Sequence, residues 1–477
     1  MKQNDYIHRR DFLKLLGAGV FSTLFPAIFS PVVKSTRRPN ILFIIVDDLR
    51  PQLGCYGHRE TLSPNIDRLA AKGTLFKRAY CQVPVCGPSR VSVLTGIRTN
   101  PDQWRCSDLN TEFITLPSYL QQFGYYTISN GKVFHYLQDR KEDWNEPPWR
   151  SVKIYPDKGD WAKYNTYKLW QNEQSRKYIN PQSGRGPYCE WAEVSDDAYQ
   201  DGKLAEKTIA DLRRLKALDK PFFLACGFWR PHLPFNAPKK YWDLYQREKI
   251  EIAENRFPPK NLPPQCRSSR EIDRYGKVAG RKNTEDFHRE ARHAYYACVS
   301  YVDAQIGKIL KALDELELSD NTIVVLWGDH GWHLGEHEFW GKHNTLDNAL
   351  RAPLIVRAPG HKQNNSTNAL VEFVDIYPTL CELVGIPVPT HVQGTSFVPL
   401  LDNPQLPWKK AVFSCWKGCQ AVKTDRFLYT EWRENGKIIA RMLFDHQTDP
   451  NENENIAEKP ENAKLVKSLS LLLKEAR

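Results

Sequence analysis

The chain has 477 residues, of which 41% are hydrophobic and 26% are charged. This composition excludes a disordered or fibrous protein, and the length is enough for one large α/β domain with a smaller companion. The formal net charge of +11 at pH 7 is mild for this length. It suits an anionic substrate, and it falls short of the basic stripes that nucleic-acid binding requires.

The first 34 residues predict an export signal. The pair Arg9-Arg10 is followed by Phe12-Leu13-Lys14 and by an apolar stretch over residues 15–29. This pattern resembles a twin-arginine signal, which the twin-arginine (Tat) export machinery recognises. The apolar stretch is short for a spanning helix and is interrupted by glycine and proline. We therefore expect a periplasmic or secreted protein with no stable membrane span after cleavage, and an uncleaved leader as membrane anchor stays open.

The chain contains 11 cysteines, an odd number. Twin-arginine substrates fold in a reducing cytosol, so any disulfide would form late. The pairs Cys81/Cys86 and Cys415/Cys419 are closely spaced, but neither has the Cys-x-x-Cys spacing of a zinc site. Cys86 has the most distinctive neighbourhood among these cysteines.

Apolar runs predict strands over residues 40–46, 221–228, 322–327 and 352–358. Helices are predicted from Ser63-Pro64 to Gly73 and over residues 197–218, 288–316 and 374–384. This alternation predicts a mostly parallel sheet covered on both faces. We assign residues 35–405 to this catalytic domain. Short alternating segments and a final helix predict a smaller α+β subdomain with an antiparallel sheet over residues 406–477.

Two stretches interrupt the alternation. Residues 140–191 contain the tryptophans Trp144, Trp149, Trp161, Trp170 and Trp191 among many charged residues. A long loop of this kind is typical of the wall of a cleft, and we expect it to select the substrate. Residues 256–292 are dense in basic residues and proline, and they predict a solvated surface loop.

Acidic residues follow two of the predicted strands. Asp47-Asp48 come directly after the first strand, and Asp329-His330 follow the strand over residues 322–327. The carboxyl ends of strands in an open α/β sheet are where ligands bind. Adjacent buried carboxylates repel each other unless a cation neutralises them, and carboxylate oxygens favour a hard ion such as Ca²⁺ or Mg²⁺. The sequence therefore predicts a divalent-metal site at this edge.

Residues 86–96 (CGPSRVSVLTG) are the most informative stretch. Pro88 and Ser89 can open a helix whose N-terminus faces Cys86. A helix N-terminus binds anions and lowers the pKa of a thiol, and Arg90 reinforces both effects. The residues alone thus indicate a reactive cysteine that faces an anion, while a buried structural cysteine before a helix stays open.

The pattern C-x-P-x-R followed by L-T-G resembles the sulfatase signature, in which the cysteine is oxidised to Cα-formylglycine. Further segments resemble the same family: Asp47-Asp48, SPNIDRLA over residues 63–70, GKVFH over 131–135, DHGW over 329–332 and Lys342. Residues 222–235 and the Asp-His pair are most similar to iduronate-2-sulfatase-like members. The resemblance implies an alkaline-phosphatase-like fold, a large mixed and mostly parallel sheet between helices, with a small C-terminal α+β subdomain.

The resemblance also implies the site residues. Asp47, Asp48, Asp329, His330 and residue 86 would hold one Ca²⁺, and His330 in place of the more frequent asparagine leaves room for another divalent ion. One hydroxyl of the hydrated formylglycine would attack sulfur, and the second would then release sulfate. The family positions assign sulfate contacts to Lys132 and Lys342, a contact to the formylglycine hydroxyl to Arg90, base catalysis to His135 and acid catalysis to His232.

The resemblance predicts a sulfuric ester hydrolase that acts on a sulfated saccharide and depends on a formylglycine-generating maturation enzyme. A 2-O-sulfated uronate at the end of a glycosaminoglycan fragment is the leading substrate. Alternatives are an aryl or choline sulfatase, a phosphoester or phosphonate hydrolase of the same superfamily, and a non-catalytic anion-binding protein. RMLFD over residues 441–445 departs from the family pattern in a region that helps to wall the substrate pocket.

Overall fold

The computed structural model describes residues 38–151 and 170–475, apart from residues 179, 181, 182, 184 and 268. The predicted export signal over residues 1–34 and Trp161 lie outside the described residues. From Arg38 onward the chain forms one compact unit. Within the described ranges, none of the helices combines the length and apolarity that crossing a bilayer requires.

The strands are numbered along the chain. They are β1 Asn40–Val46, β2 Thr74–Phe76, β3 Ala79–Tyr80, β4 Tyr126–Gly131, β5 Cys189–Ala192, β6 Phe222–Phe228, β7 Phe235–Pro238, β8 Thr322–Gly328, β9 His333–Leu334, β10 Trp340–Gly341, β11 Leu354–Arg357, β12 Asn365–Thr367, β13 Val371–Glu372, β14 Ala411–Trp416, β15 Cys419–Thr424, β16 Phe427–Glu434 and β17 Lys437–Asp445. The α-helices of the described residues are α1 Pro64–Ala71, α2 Cys86–Thr95, α3 Leu116–Gln122, α4 Glu173–Lys177, α5 Gln200–Lys216, α6 Lys239–Trp242, α7 Glu285–Glu315, α8 Asp347–Leu350, α9 Ile376–Leu383, α10 Val398–Asp402 and α11 Ala463–Glu475.

The central sheet has seven strands in the order β12-β2-β11-β8-β1-β6-β4. Strand β1 pairs in parallel with β6 and β8, and β4 pairs in parallel with β6. Strand β11 runs antiparallel to both of its neighbours, β2 and β8. The predicted mixed, mostly parallel sheet is therefore confirmed, and four parallel strands bring their carboxyl ends to one edge.

Strand β1 shows why the sheet is covered on both faces. All seven of its residues are buried. Leu42, Ile44 and Val46 enter one hydrophobic core, and Ile41, Phe43 and Ile45 enter the other. Each fully buried side chain of this size stabilises the fold by about 1.5–3 kcal/mol. A strand whose residues are all apolar gains this on both faces only at the centre of a sheet that is covered on both sides.

Helix α1 begins at Pro64, as the sequence predicts, but the side chain that caps it is not that of the preceding Ser63. The Ser63 hydroxyl makes no capping hydrogen bond with this helix. It accepts from the Gly54 backbone and donates to Asp67, at 2.9 and 3.1 Å. The Asp303 carboxylate on α7 accepts the N–H groups of Asn65 and Ile66 instead, at 3.0 and 2.8 Å. A buried carboxylate from a distant helix thus caps α1.

The C-terminal part forms a second sheet. Strands β14, β15, β16 and β17 pair in sequence order, and every pair is antiparallel. Val466, Leu469 and Leu473 of α11 share a hydrophobic cluster with Val422 and Tyr429 of this sheet. The predicted antiparallel sheet and final helix are confirmed, and the boundary at residue 405 stays a prediction.

Candidate active site

The predicted site residues meet at the carboxyl edge of the parallel strands. Asp47-Asp48 directly follow β1, Lys132 follows β4, and Asp329-His330 follow β8. His232 lies four residues beyond β6. Because these strands are neighbours with one direction, the residues that follow them are brought to one place. The sheet topology thus assembles a site from segments that are distant in sequence.

Two backbone features fix this edge. Gly227 at the end of β6 packs so closely on Lys132 that a Cβ atom there would overlap the Lys132 carbonyl. Asp48 has a φ angle of 59°, a left-handed conformation that is rare for a residue with a side chain. Its N–H donates to the Asp329 carboxylate at 3.0 Å, and its carbonyl accepts from the Tyr295 hydroxyl at 2.8 Å. The turn directs both adjacent carboxylates into the site.

Four buried side chains form a candidate metal centre. Asp47, Asp48, Cys86 and His330 each offer one ligand atom, and these atoms lie within 4.8 Å of one another. Asp329 is placed beside this group, with its Oδ1 atom 3.5 Å from His330 Nε2. The structure therefore brings together all five residues that the sequence predicted as metal ligands.

The hydrogen bonds of this centre fit a cation. His330 Nδ1 donates to the Gly331 carbonyl at 2.9 Å, so Nε2 faces the carboxylates. In the part of the chain that the structure describes, neither His330 Nε2 nor Asp48 Oδ2 has a hydrogen-bond partner, although both atoms are buried. Buried polar atoms without partners are costly, and lone pairs of this kind are what a divalent cation requires. The donor set thus fits a metal with mainly oxygen ligands.

Three buried cationic side chains surround the carboxylates. Arg90 Nε lies 2.9 Å from the Asp329 carboxylate, and Lys132 Nζ pairs with Asp47. Lys342 Nζ lies 2.5 Å from Asp48 Oδ1 and 3.5 Å from Cys86 Sγ. Burial raises the pKa of Asp47, but Lys132 and the other nearby cations hold that pKa well below its usual value. Because each buried carboxylate has a cationic partner, the cost of removing these charges from water is offset by their mutual attraction.

Cys86 is the first residue of α2 and only 3% exposed. The helix begins at the cysteine itself and not at Pro88-Ser89, so the thiol lies within the first turn. Burial and Asp47 raise the pKa of the Cys86 thiol, but Lys132 and Lys342 outweigh them and bring it to about 7. The thiol therefore lies beside two buried positive charges, and these lysines, more than Arg90, lower its pKa.

The two histidines predicted to act in proton transfer, His135 and His232, have opposite pKa shifts. Burial, together with Lys132, holds the pKa of His135 well below its usual value, so its imidazole is neutral. Burial lowers the pKa of His232, but Asp48 and other carboxylates outweigh it and raise that pKa well above its usual value. His232 Nδ1 donates to the Leu233 carbonyl at 2.6 Å, and Nε2 lies 3.2 Å from Glu271. One histidine is thus suited to accept a proton and the other to donate one.

A cavity of about 520 Å³ opens above these groups. Cys86, His135, His232 and Lys342 line it, as predicted. The other polar and aromatic side chains of its wall were not among the predicted site residues. They are Trp104, Arg105, Tyr136, Arg185, Ser269, Arg270, Glu271, Arg274 and His343. Apart from Arg185, which lies in the predicted cleft wall over residues 140–191, their only sequence signal was the density of basic residues over 256–292. That stretch supplies four of them, so it is part of the cavity wall and not only a solvated loop.

The tryptophan-rich insertion reaches the cavity through one arginine and not through its described tryptophans, and its role in selecting the substrate stays a prediction. Of its described residues, only Arg185 lines the cavity. Trp144 and Trp170 are 5% and 1% exposed, and the Trp170 Nε1–H donates to the Pro187 carbonyl at 3.1 Å. These large apolar rings stabilise the fold by burial, which explains why they do not face a substrate.

A sulfatase family model matches residues 39–386. The chain belongs to the sulfatase family. A second model, for the C-terminal part of N-sulphoglucosamine sulphohydrolase, matches residues 335–477. Iduronate 2-sulfatase of Mus musculus is 37% identical over 416 residues, which cover 76% of this chain and 72% of that protein. Iduronate 2-sulfatase of Homo sapiens is 35% identical over 424 residues, with the same two coverages. This sulfatase is a sulfuric ester hydrolase, as the sequence predicted.

Solved structures confirm the predicted fold. The phosphonate monoester hydrolase from Silicibacter pomeroyi has a TM-score of 0.73 at 23% identity, covering 92% of this chain and 95% of that one. A protein solved in complex with its substrate D-glucosamine-2-N,6-O-disulfate has a TM-score of 0.69 at 23% identity, covering 92% and 97%. Proteins of different substrate use therefore share this fold, and the fold alone does not identify the substrate.

Proposed function

We propose that this sulfatase removes sulfate from an acidic saccharide, with a 2-O-sulfated uronate of a glycosaminoglycan fragment as the leading substrate. The main observation that supports this proposal is that Cys86, Lys342 and the candidate metal centre lie together at one cavity. The names of the two iduronate 2-sulfatase relatives support the substrate class. Export by the Tat machinery and modification by a maturation enzyme belong to the same proposal.

Two groups would supply the chemistry that the unmodified side chains lack. Residue 86, once converted to Cα-formylglycine, supplies a hydrated aldehyde with one hydroxyl to displace the alcohol at sulfur and a second to release sulfate. A divalent cation, proposed as Ca²⁺, would be held by Asp47, Asp48, Asp329, His330 and residue 86, where it polarises sulfate oxygens.

The lysines bind and orient the sulfate in this proposal. Lys342 Nζ lies 3.5 Å from Cys86 Sγ, so its ammonium faces the position of attack. Lys132 directly follows β4, and its ammonium group pairs with Asp47, one of the candidate metal ligands. Both ammonium groups are buried, where a fixed positive charge acts more strongly on developing negative charge than it would in water. Arg90 is fully buried, and its guanidinium group holds the Asp329 carboxylate in place.

The histidines move the protons. Nε2 of His232 carries a proton toward the cavity, where the leaving oxygen of the ester requires one as the S–O bond breaks. His135 is neutral and lines the same cavity as residue 86, so it can accept the proton that leaves the second hydroxyl. The first hydroxyl gives up its proton to solvent as it attacks sulfur, and the alcohol leaves with the proton of His232. Sulfate then departs with the oxygen of the first hydroxyl, and a water molecule hydrates the aldehyde again.

A comparison of matched esters tests this proposal. We expect the protein, produced with a maturation enzyme, to release sulfate from a 2-O-sulfated uronic acid glycoside and from 4-nitrophenyl sulfate. We expect much slower hydrolysis of 4-nitrophenyl phosphate, because the dianion places more negative charge beside Asp47 and Asp48. The measurement is kcat/KM for each ester by sulfate or nitrophenol release. Faster turnover of the phosphate or a phosphonate ester would replace the proposal with phosphoester hydrolysis.

The modification of Cys86 has its own test. Tryptic cleavage after Arg78 and Arg90 gives one peptide that contains both Cys81 and Cys86. We expect mass spectrometry to find this peptide lighter by one thiol-to-aldehyde conversion, with the change at residue 86. Cys81 is an internal control because its thiol is buried beside the Ala349 carbonyl, outside the cavity. An unmodified Cys86 in an active preparation would disprove the formylglycine mechanism.

A further inference from the structure

Four arginines line the cavity above the catalytic groups, and we refer to Arg105, Arg185, Arg270 and Arg274 as the arginine rim. They come from three segments that are distant in sequence. Among the described residues that line this cavity, Glu271 is the only acidic one. A partly enclosed cavity with charges of one sign concentrates oppositely charged ligands, so the rim gives the cavity a strong preference for anions.

Two of these guanidinium groups have no ion pair within the described ranges. Arg270 and Arg274 make no side-chain hydrogen bond or salt bridge there, whereas Arg98, Arg214 and Arg281 each contact a carboxylate. Arg105 lies over the Tyr136 ring, with its Cζ atom 4.1 Å from the ring centroid. Arg185 lies over the Tyr275 ring at 4.9 Å. Stacking on a ring orients a guanidinium group. Arg270 and Arg274 are therefore the two rim residues on which the excess of positive charge depends.

Glu271 does not neutralise the rim. Its carboxylate lies 3.2 Å from His232 Nε2 and 3.5 Å from Lys342 Nζ, so its charge acts on the catalytic end of the cavity. The scissile sulfate has its own partners in Lys132, Lys342 and the metal centre. The positive charge of the rim is therefore in excess of what one sulfate group requires.

We propose that the arginine rim binds a second anionic group of the substrate, a carboxylate or a further sulfate, and that it selects esters with at least two negative groups. This inference rests on the proposed function, because it concerns the same cavity. A planar guanidinium group can donate two parallel hydrogen bonds to a carboxylate or sulfate, which gives orientation as well as affinity. A monoanionic aryl sulfate lacks the second group, and choline sulfate brings a cation toward the rim.

The test uses a pair of substrates that differ in one charge: a 2-O-sulfated uronic acid glycoside and its carboxyl-reduced, neutral analogue. We expect wild-type kcat/KM to be higher for the acidic ester, and Arg270→Ala and Arg274→Ala each to reduce this selectivity about tenfold. Arg267→Ala is the matched control, since this exposed arginine lies on the same segment but does not line the cavity. We expect its selectivity to equal that of the wild type.

A second substrate pair, a hexose disulfate and the corresponding monosulfate, distinguishes the two anions. Selectivity for the disulfate that falls in the same variants would identify a sulfate as the second group, and an effect confined to the uronate would identify a carboxylate. Equal kcat/KM for both members of both pairs in a folded wild-type enzyme would overturn the inference and leave the sulfatase activity standing. Failure to hydrolyse any sulfate ester, including 4-nitrophenyl sulfate, would instead contradict the proposed function. Thermal unfolding of each variant separates lost selectivity from lost folding.

Discussion

Replacing Cys86 with alanine is expected to abolish sulfate release, with kcat reduced by about 10⁴-fold or more, because no other side chain can replace the nucleophile. The thiol lies at the centre of the site, 3.5 Å from Lys342 Nζ. The substitution removes one atom at the start of α2, and alanine is a strong helix former, so the fold should be retained. The measurement is single-turnover sulfate release by the variant together with its thermal unfolding midpoint.

Cys81→Ala is the matched control for that experiment. Cys81 is also fully buried and lies five residues earlier, but its thiol contacts the Ala349 carbonyl at 3.9 Å and does not line the cavity. We expect Cys81→Ala to keep wild-type kcat with a small loss of stability. Full turnover by a folded Cys86→Ala protein would show that the proposed mechanism is wrong.

The convergence of the candidate metal ligands was predictable from sequence for a physical reason. Asp47-Asp48 and Asp329-His330 stand immediately after continuous apolar runs, and such runs are recognisable as buried parallel strands. A parallel sheet fixes which ends meet, so local patterns are enough to predict the convergence of these four residues. Cys86 and Lys132 were found through motifs that resemble a family, and their burial and contacts required the structure.

The arginine rim and Glu271 were not predictable by the same reasoning. Arg270, Glu271 and Arg274 belong to a stretch with little regular secondary structure, where no periodicity indicates which side chain faces the cavity. The cap on α1 was not predictable either, because it is supplied by Asp303, which is more than 200 residues away in sequence. Long-range contacts of irregular segments depend on the packing of the whole chain, and sequence patterns do not encode them locally.

Replacing His232 with alanine is expected to slow the hydrolysis of sugar sulfates by about 10²–10⁴-fold, because the leaving alkoxide then departs without a proton. Esters of 4-nitrophenol should lose much less activity, since a nitrophenolate is stable without protonation. The measurement is kcat/KM for a series of aryl and alkyl sulfates of increasing leaving-group basicity. We expect a steeper dependence on basicity in His232→Ala than in the wild type.

Two further variants test which histidine protonates the leaving group. Glu271→Gln keeps the size of the side chain beside His232 Nε2 but removes its charge, so the dependence on leaving-group basicity should steepen partly. His135→Ala should lower turnover without steepening that dependence, because His135 acts after the S–O bond of the ester has broken. The same loss for good and poor leaving groups in His232→Ala would assign His232 to substrate binding. A steeper dependence in His135→Ala instead would exchange the two roles, and this outcome would contradict the pKa directions that burial and the neighbouring charges give the two rings.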